Sequence, residues 1–374
     1  MKTKKNSSNF RLFAVSPPGL EGITAKELSR LGLSGKIRPG GVEFRGPLAV
    51  LYQTNLWLRT ANRILLRIAE FRVLHLNELR LRIARYPWEI YIPDGSSIKI
   101  RATCSRSRLY HSGAVAERVL RGIEDRLGRK LSEEGPEVLI VVRLFKDQCL
   151  VSVDTSGKDL FRRGYKLGKG PAPLRENLAA AMLLASGWDG RSPLVDPFCG
   201  TGTIAIEAAM IAADIAPGLK RSFAFEAWRN FDKDLWSELR AKAIAARKEI
   251  SKPLIWASDH SLEAIKASQT NVKVAEVENL IVLEQRAVKE LFPPTGYPGW
   301  IVTNPPYGRR LRPRTPVWEV YETLGYVFQR RFPNWKLVLV SPYRNVSKAL
   351  NLPLKKLTSF DHGGLKVNLW GSST

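Results

Sequence analysis

Cysteine is scarce in this chain, and the three present, Cys104, Cys149 and Cys199, stand far apart with no C-x-x-C pair. That spacing excludes a disulfide framework and supplies no thiolate set for zinc, so a reducing compartment and no metal are expected. Long apolar runs are missing as well. No window of about 18 apolar residues is available to span a bilayer, and the basic start Met1-Lys2-Thr3-Lys4-Lys5 leads into no apolar leader core. A cytoplasmic protein without a membrane partner is expected. The third shortage is acidic charge. Lys plus Arg total 59 against 35 Asp plus Glu, a formal net charge of +24, and so one-sided a balance points to a polyanion, nucleic acid before membrane. The excess is uneven. Residues 1–172 carry 32 basic and 16 acidic side chains, a net of +16, while residues 173–374 carry 27 and 19, a net of +8. The N-terminal half is the expected polyanion reader.

The 374 residues leave room for two or three domains at about 150 residues each. Residues 10–15 read as a strand and 20–31 as a helix, 41–44 as a strand, and 48–68 as a helix running into a strand, together a small α+β unit. Arg59, Arg63 and Arg67 fall four apart, the spacing of one helix face open to solvent or RNA. From 75 to 160 a second α+β pattern follows, closed by a hairpin of 137–145 with 149–154. Its loop Arg106-Ser107-Arg108-Leu109-Tyr110-His111 mixes basic and aromatic groups, as suits phosphates and unstacked bases. Residues 161–172, basic and glycine-rich with Arg162 and Arg163, read as a linker. Beyond 178, helices alternate with apolar runs at 193–196, 254–258, 280–284, 299–303 and 336–340, the signature of a parallel sheet, and 355–359 with 364–370 end it as a hairpin.

After the run 299–303 stands Asn304-Pro305-Pro306-Tyr307-Gly308. Two prolines after a strand make a turn by their own chemistry. The same residues also suit alkylation of an exocyclic amine on a nucleobase, whose lone pair is delocalised into the ring. Asn304 would accept one amine hydrogen, a nearby backbone carbonyl the other, the prolines would fix the acceptors, and Tyr307 would stack on the base. Context upstream favours this second reading. The run 193–196 leads into Asp196-Pro197-Phe198-Cys199-Gly200-Thr201-Gly202-Thr203 and then an apolar helix. Glycines 200 and 202 let backbone approach a ligand, but no Gly-Lys-Ser/Thr follows and the third glycine of the dinucleotide fingerprint is missing. An acidic residue at the loop's start repels phosphate and suits a sulfonium with an ammonium group. Asp259, ending the next strand, is placed for ribose hydroxyls and also as a helix N-cap. Together these favour S-adenosylmethionine.

These residues carry a resemblance. Residues 171–310 are similar to the methyltransferase domain of THUMP-containing RNA guanine-N2 methyltransferases, in particular the RlmL type acting on 23S rRNA. The likeness lies in Ala172-Pro173-Leu174-Arg175-Glu176-Asn177-Leu178-Ala179-Ala180, Ser186-Gly187-Trp188-Asp189-Gly190, residues 196–213, Ala216-Pro217-Gly218-Leu219, Trp228-Arg229-Asn230-Phe231 and 303–309. Residues 75–160 resemble a THUMP domain, and 10–70 the ferredoxin-like unit before it. The resemblance implies an α/β protein: a ferredoxin-like unit at 1–70, a THUMP RNA-binding domain at 71–160 and a linker at 161–172. A Rossmann-like class I methyltransferase domain with a mostly parallel seven-stranded sheet would occupy 173–374. It implies that Asn304, Pro305, Pro306 and Tyr307 hold the guanine amine. Asp196, Pro197, Cys199, Gly200, Gly202, Thr203 and Asp259 would hold S-adenosylmethionine, with Glu176 and Asn177 closing over its methionine end. Arg106, Arg108, Arg162 and Arg163 are the expected RNA contacts. Two positions depart from the family: Ala287 stands where an acidic residue commonly faces the adenine, and His362-Gly363-Gly364 replaces an Asn-Gly hairpin turn.

The expected activity is methylation of guanine N2 in structured RNA, 23S rRNA first. A tRNA guanine-N2 enzyme, an adenine-N6 enzyme on RNA or DNA, and a non-catalytic RNA-binding assembly factor are the alternatives. A thiol nucleophile at Cys199 would serve cytosine C5 chemistry, which has no use for the Asn-Pro-Pro-Tyr acceptors.

Overall fold

In the computed structural model, which describes residues 9–167, 174–307 and 316–372, residues 10–154 form one sheet of seven strands. The first unit is β1 (Phe10–Val15), α1 (Glu21–Arg30), β2 (Gly35–Arg38), β3 (Gly41–Gly46), α2 (Leu48–Trp57) and β4 (Arg63–Arg72). The second adds α3 (Leu76–Ile83), β5 (Ser97–Ser105), α4 (Ser112–Leu127), β6 (Glu137–Phe145) and β7 (Gln148–Asp154). Strand order is β2-β3-β1-β4-β7-β6-β5. The two units meet where β4 and β7 pair antiparallel from Leu65–Asp154 to Arg72–Gln148, so they share a sheet rather than standing as separate modules. α4 buries Val115, Val119, Gly122 and Ile123, one stripe of a 3.6-residue period, and stops at Gly128 in the left-handed region.

The second half holds α5 (Glu176–Ser186), β8 (Leu194–Asp196), α6 (Thr203–Ala212), α7 (Lys233–Ala245), β9 (Ile255–Asp259), α8 (Leu262–Ala275), β10 (Ile281–Gln285) and β11 (Trp300–Thr303). α9 (Val317–Arg331), β12 (Lys336–Ser341), α10 (Val346–Leu350), β13 (Leu354–His362) and β14 (Leu365–Ser372) complete it. The order is β10-β9-β8-β11-β12-β14-β13, with the first five parallel and β14 antiparallel to both neighbours. Each parallel strand lies within one residue of the run its apolar pattern marked, because strands covered on both faces read as near-continuous apolar segments. Leu194 and Ala257 face a core shared with α5, α6 and α8; Val195, Ile301 and Leu337 face Tyr321, Leu324 and Phe328 of α9. Sequence order reverses between β8 and β11, and the carboxyl ends at such a switch point are where open α/β sheets form a ligand crevice.

The halves share a core. Phe223, Phe225, Trp228 and Trp236 of the second half lie in the N-terminal cluster, where Tyr52 stacks on Phe225 at 4.4 Å. In the opposite direction, Leu20 is fully buried in the core of the second half, which also holds Phe360. Gly19 makes that insertion possible: its φ is 90°, and a Cβ there would lie 2.0 Å from the Ser359 carbonyl oxygen.

Charge is buried at the same seam. Arg163, 2% exposed, donates from Nε to Glu207 Oε1 at 3.4 Å and from Nη1 to the Leu160 carbonyl at 2.6 Å, and also reaches the Arg59 carbonyl. Tyr165 adds a hydroxyl to Glu207 at 3.1 Å. Arg59 donates to the Ile215 carbonyl at 2.7 Å, and the backbone N–H groups of Arg59 and Thr60 both donate to Glu27 at 2.9 Å.

Three expectations are corrected here. Residues 161–167 are packed rather than a free linker, since Arg163 and Tyr165 are buried; 168–172 lie outside the described residues. Arg163 is therefore an interdomain residue and not an RNA contact, because its guanidinium is consumed by buried acceptors. Arg59, Arg63 and Arg67 do not line a helix: α2 ends at Trp57 and the last two sit on β4. A spacing of four satisfies a strand's period of two as well. Arg63 pairs with Asp154 at 2.5 Å and with Asp159, and Arg67 lies 4.2 Å over the Phe13 ring.

Removing one member of a buried ion pair leaves the other uncompensated, which costs about 3–5 kcal/mol. Arg163→Met is expected to lower the unfolding free energy by about that amount, read from urea midpoints at unchanged slope.

Candidate active site

β8 delivers Asp196 to the crevice fully buried, and the loop after it is held from three sides. Cys199 N–H donates to the Ser258 carbonyl at 2.9 Å, Gly200 N–H to Asp259 Oδ2 at 3.1 Å, and Ser268 Oγ to the Gly200 carbonyl at 2.8 Å. Asn271 Nδ2 donates to the Thr201 carbonyl at 2.9 Å. Gly200 and Gly202 have φ of 53° and 78°, and a Cβ on Gly202 would press on Ser268 at 3.2 Å. The loop thus turns tightly through its two glycines, and Thr203 opens α6. Pro197, Cys199 and Thr203 are buried beneath it.

Asp259 closes β9 and binds the loop itself, accepting also from Ser261 N–H at 3.0 Å. The N-cap of α8 is Ser261, whose Oγ accepts from Ala264 N–H at 3.2 Å. Asp259 is therefore a loop support at the strand end rather than a cap.

Asp196 is joined to the second motif through a residue the sequence did not single out. Thr303, the last of β11, donates its hydroxyl to Asp196 Oδ1 at 2.6 Å. Asp196 Oδ2 is buried without a partner, as is Oδ1 of the next residue, Asn304. Burial pushes the Asp196 carboxyl up to about 7, with the charge of Asp259 adding to the rise and the Thr303 hydroxyl opposing it. Pro305 is buried, Pro306 partly so, and Tyr307 packs half-buried with its hydroxyl 2.5 Å from His362 Nδ1. Gly308 lies outside the described residues. The Thr303 signal was available only as a hydroxyl at a strand end, which carries no direction in sequence.

Glu176 and Asn177 open α5. The Glu176 carboxyl is raised by burial, with Lys166 3.9 Å away, and Asn177 donates to Asn62 Oδ1 at 2.9 Å and to the Thr60 carbonyl at 3.4 Å. Asn177 therefore turns its amide toward the N-terminal half. Cys199 is no nucleophile: burial first, and then the charges of Asp196 and Asp259, push its thiol well above the ordinary range.

The basic loop of the second unit is open. Arg106, Arg108 and His111 are exposed and Tyr110 is 81% exposed, while Arg108 N–H is fixed to Asp147 Oδ1 at 2.7 Å. Beside it, Arg143 and Lys146 sit over the Phe145 ring at 6.0 and 5.7 Å, and Lys99 and Arg101 project from neighbouring β5. Lys99, Arg101 and Arg143 hold outward strand positions and Lys146 the β6–β7 turn, places that read in sequence as ordinary solvated positions. Arg162 is exposed as well.

Among the described residues, no helix is long and apolar enough to cross a membrane. Residues 163–365 match the RMKL-like methyltransferase domain, 11–65 the RlmL ferredoxin-like domain and 75–154 the THUMP domain. A putative RNA methyltransferase of Bacillus subtilis, YpsC, is 33% identical over 96% of this chain and 95% of its own length. The ribosomal RNA large subunit methyltransferase K/L of Cellvibrio japonicus is 34% identical over 96% of this chain, which spans 50% of that longer protein. The crystal structure of SMU.472, a putative methyltransferase complexed with SAH, superposes with a TM-score of 0.87 at 32% identity, covering 97% of this chain and 98% of that one. With the reversed strand order, the pinned glycine loop and the Asn304–Tyr307 segment, these likenesses place the chain in the RMKL-like methyltransferase family with ferredoxin-like and THUMP units ahead of its catalytic domain.

Proposed function

We propose that the protein methylates the exocyclic N2 amine of a guanine in large-subunit ribosomal RNA, using S-adenosylmethionine. One observation carries the reading: two buried acceptor atoms, Asp196 Oδ2 and Asn304 Oδ1, stand without partners at adjacent strand ends joined by Thr303. A buried acceptor left unpaired costs about 1–3 kcal/mol, and a ligand that donates to it recovers that cost. Asp196 suits a cationic donor molecule, and Asn304 suits an N–H.

When bound, the donor supplies an electrophilic methyl on a sulfonium. Asn304 Oδ1 accepts one amine hydrogen and draws the nitrogen lone pair out of conjugation, while Pro305 and Pro306 hold that acceptor still. Asp259 sets the glycine loop through Gly200 and keeps lone pairs for ribose hydroxyls. Glu176, at the head of α5, closes the methionine end, and Asn177 ties that helix to the N-terminal half. Such a transfer asks little acid–base help, so alignment and exclusion of water supply most of the rate. The target base leaves its stack at a cost of a few kcal/mol, offset by Tyr307 and by the RNA-binding face around Arg106, Arg108 and Tyr110, with Arg162 nearer the catalytic half. Guanine and ribosomal RNA follow from the resemblance and from the activity named for the K/L relatives.

Asn304→Ala is expected to leave the S-adenosylmethionine Kd within about threefold and to reduce methyl transfer by about 10³-fold or more. Calorimetry and tritium transfer to unmodified 23S rRNA transcript read the two; transfer at the wild-type rate would remove Asn304 from the mechanism. In cells, deletion should erase N2-methylguanosine at a single rRNA position in mass-spectrometric nucleoside mapping.

Asp196 gives a pH signature. Its carboxyl, near 7 in the free protein, must be charged to meet a cation, so affinity is lost as pH falls below 7 and proton release accompanies binding there. The Kd should rise by up to about tenfold per pH unit below 7. Asp196→Asn should bind weakly with no such slope.

Replacing Arg106 and Arg108 together by Ala should weaken RNA binding most at low salt and lower the slope of log K against log salt by about 1–2. An unchanged slope would take this loop out of the interface.

A further inference from the structure

We propose that His362 is a positioning residue for methyl transfer, fixing the ring of Tyr307 at the base-binding end of the crevice. The proposal rests on the functional reading above and adds a residue from a different element, the tip of the terminal hairpin. Pro305 and Pro306 restrain backbone upstream of Tyr307, but neither restrains its χ1 or χ2, and a stacking platform works only if its face is aimed. The ring packs against the core of the second half, and the hydroxyl contact to His362 Nδ1 at 2.5 Å adds the directional restraint that packing alone does not give. The two rings meet edge to face, 76° apart with centroids 6.1 Å distant, so the imidazole does not stack over the tyrosine face.

That hydrogen bond holds in either polarity. Burial raises the Tyr307 pKa, which keeps the phenol protonated, so it donates to a bare Nδ1 or accepts from a protonated one, and either arrangement ties the hydroxyl to the imidazole. His362 is itself well placed to be rigid. It ends β13 and pairs with Leu365 across Gly363-Gly364, whose φ values of 60° and 83° close the turn. Four residues back, the same strand meets the N-terminal half: Thr358 Oγ1 donates to the Gly19 carbonyl at 2.9 Å, and Phe360 packs in the core that receives Leu20. One strand therefore carries both the docking contact of the RNA-reading half and the residue that holds the base platform.

The test is a double-mutant cycle on transfer to unmodified 23S rRNA transcript, with His362→Ala, Tyr307→Phe and the pair. Each single variant should lower kcat about 10-fold or more with KM for RNA and the S-adenosylmethionine Kd within about threefold, and the pair should fall no further than either alone. His362→Gln, which returns a hydrogen-bonding group, should recover part of the loss. Wild-type kcat in His362→Ala, or fully additive losses, would overturn the positioning role while leaving the functional reading intact. A wild-type protein inert on ribosomal RNA under conditions where it binds S-adenosylmethionine would overturn both.

Discussion

The architecture depends on charge buried where the two halves meet. Arg59 and Arg163 enter this seam from different segments, and Glu207 of α6 stands between them with a hydroxyl from Tyr165. A buried guanidinium is tolerated where its donors are taken up: Arg163 gives all its nitrogens to the Leu160 and Arg59 carbonyls and the Glu207 carboxylate, while Arg59 donates through Nη2 to the Ile215 carbonyl and keeps Nη1 without a partner. Such bonds have direction where apolar contact has none. The stacked Tyr52 and Phe225 could slide by an ångström at small cost, but the arginines could not. The apolar cores supply the larger share of stability, and the ionic junction adds directional contacts to the angle at which the N-terminal half meets the second half.

That angle matters because the chemistry has few other levers. A methyl group moving in line from sulfur to nitrogen needs a donor, an acceptor and a base held within a fraction of an ångström. In the proposed reaction the loop tied to β9 and α8 would fix the donor side, and Asn304, next after β11, the acceptor side. Thr303 makes the two sides one unit, since its hydroxyl spans from β11 to the carboxylate at the end of β8. The partnerless oxygens at Asp196 and Asn304 are the local stability given up for that geometry.

Much of this was legible in the sequence, for physical reasons that can be named. Parallel strands buried on both faces announce themselves as apolar runs, which is why 254–258 and 336–340 were found within a residue. Asp196, the loop glycines and Asn304-Pro305-Pro306-Tyr307 were legible because backbone freedom, backbone rigidity and acceptor chemistry are properties of residue types. Arg163 was misread because basic, glycine-rich sequence looks the same whether a linker is solvated or pressed into a seam. Arg63 and Arg67 were misread because a spacing of four fits two periods. Thr303 was silent and His362 showed only as part of an altered hairpin turn, because their contacts exist only once β11 lies beside β8 and the terminal hairpin lies beside Tyr307.

The same comparison explains why the N-terminal half cannot be treated as a detachable reader. A linker of twelve free residues would let it search for RNA independently, at the cost of an uncertain approach to the crevice. Instead, Leu20 is buried in the catalytic core and Phe225 and Trp236 in the N-terminal one, so each half completes the other's interior. In the proposed function, binding energy collected at Arg106, Arg108 and Tyr110 would then be delivered through two halves that share their interiors. Energy spent far from the reacting atoms accelerates a reaction only when it is converted into position, and a shared core is the means of conversion.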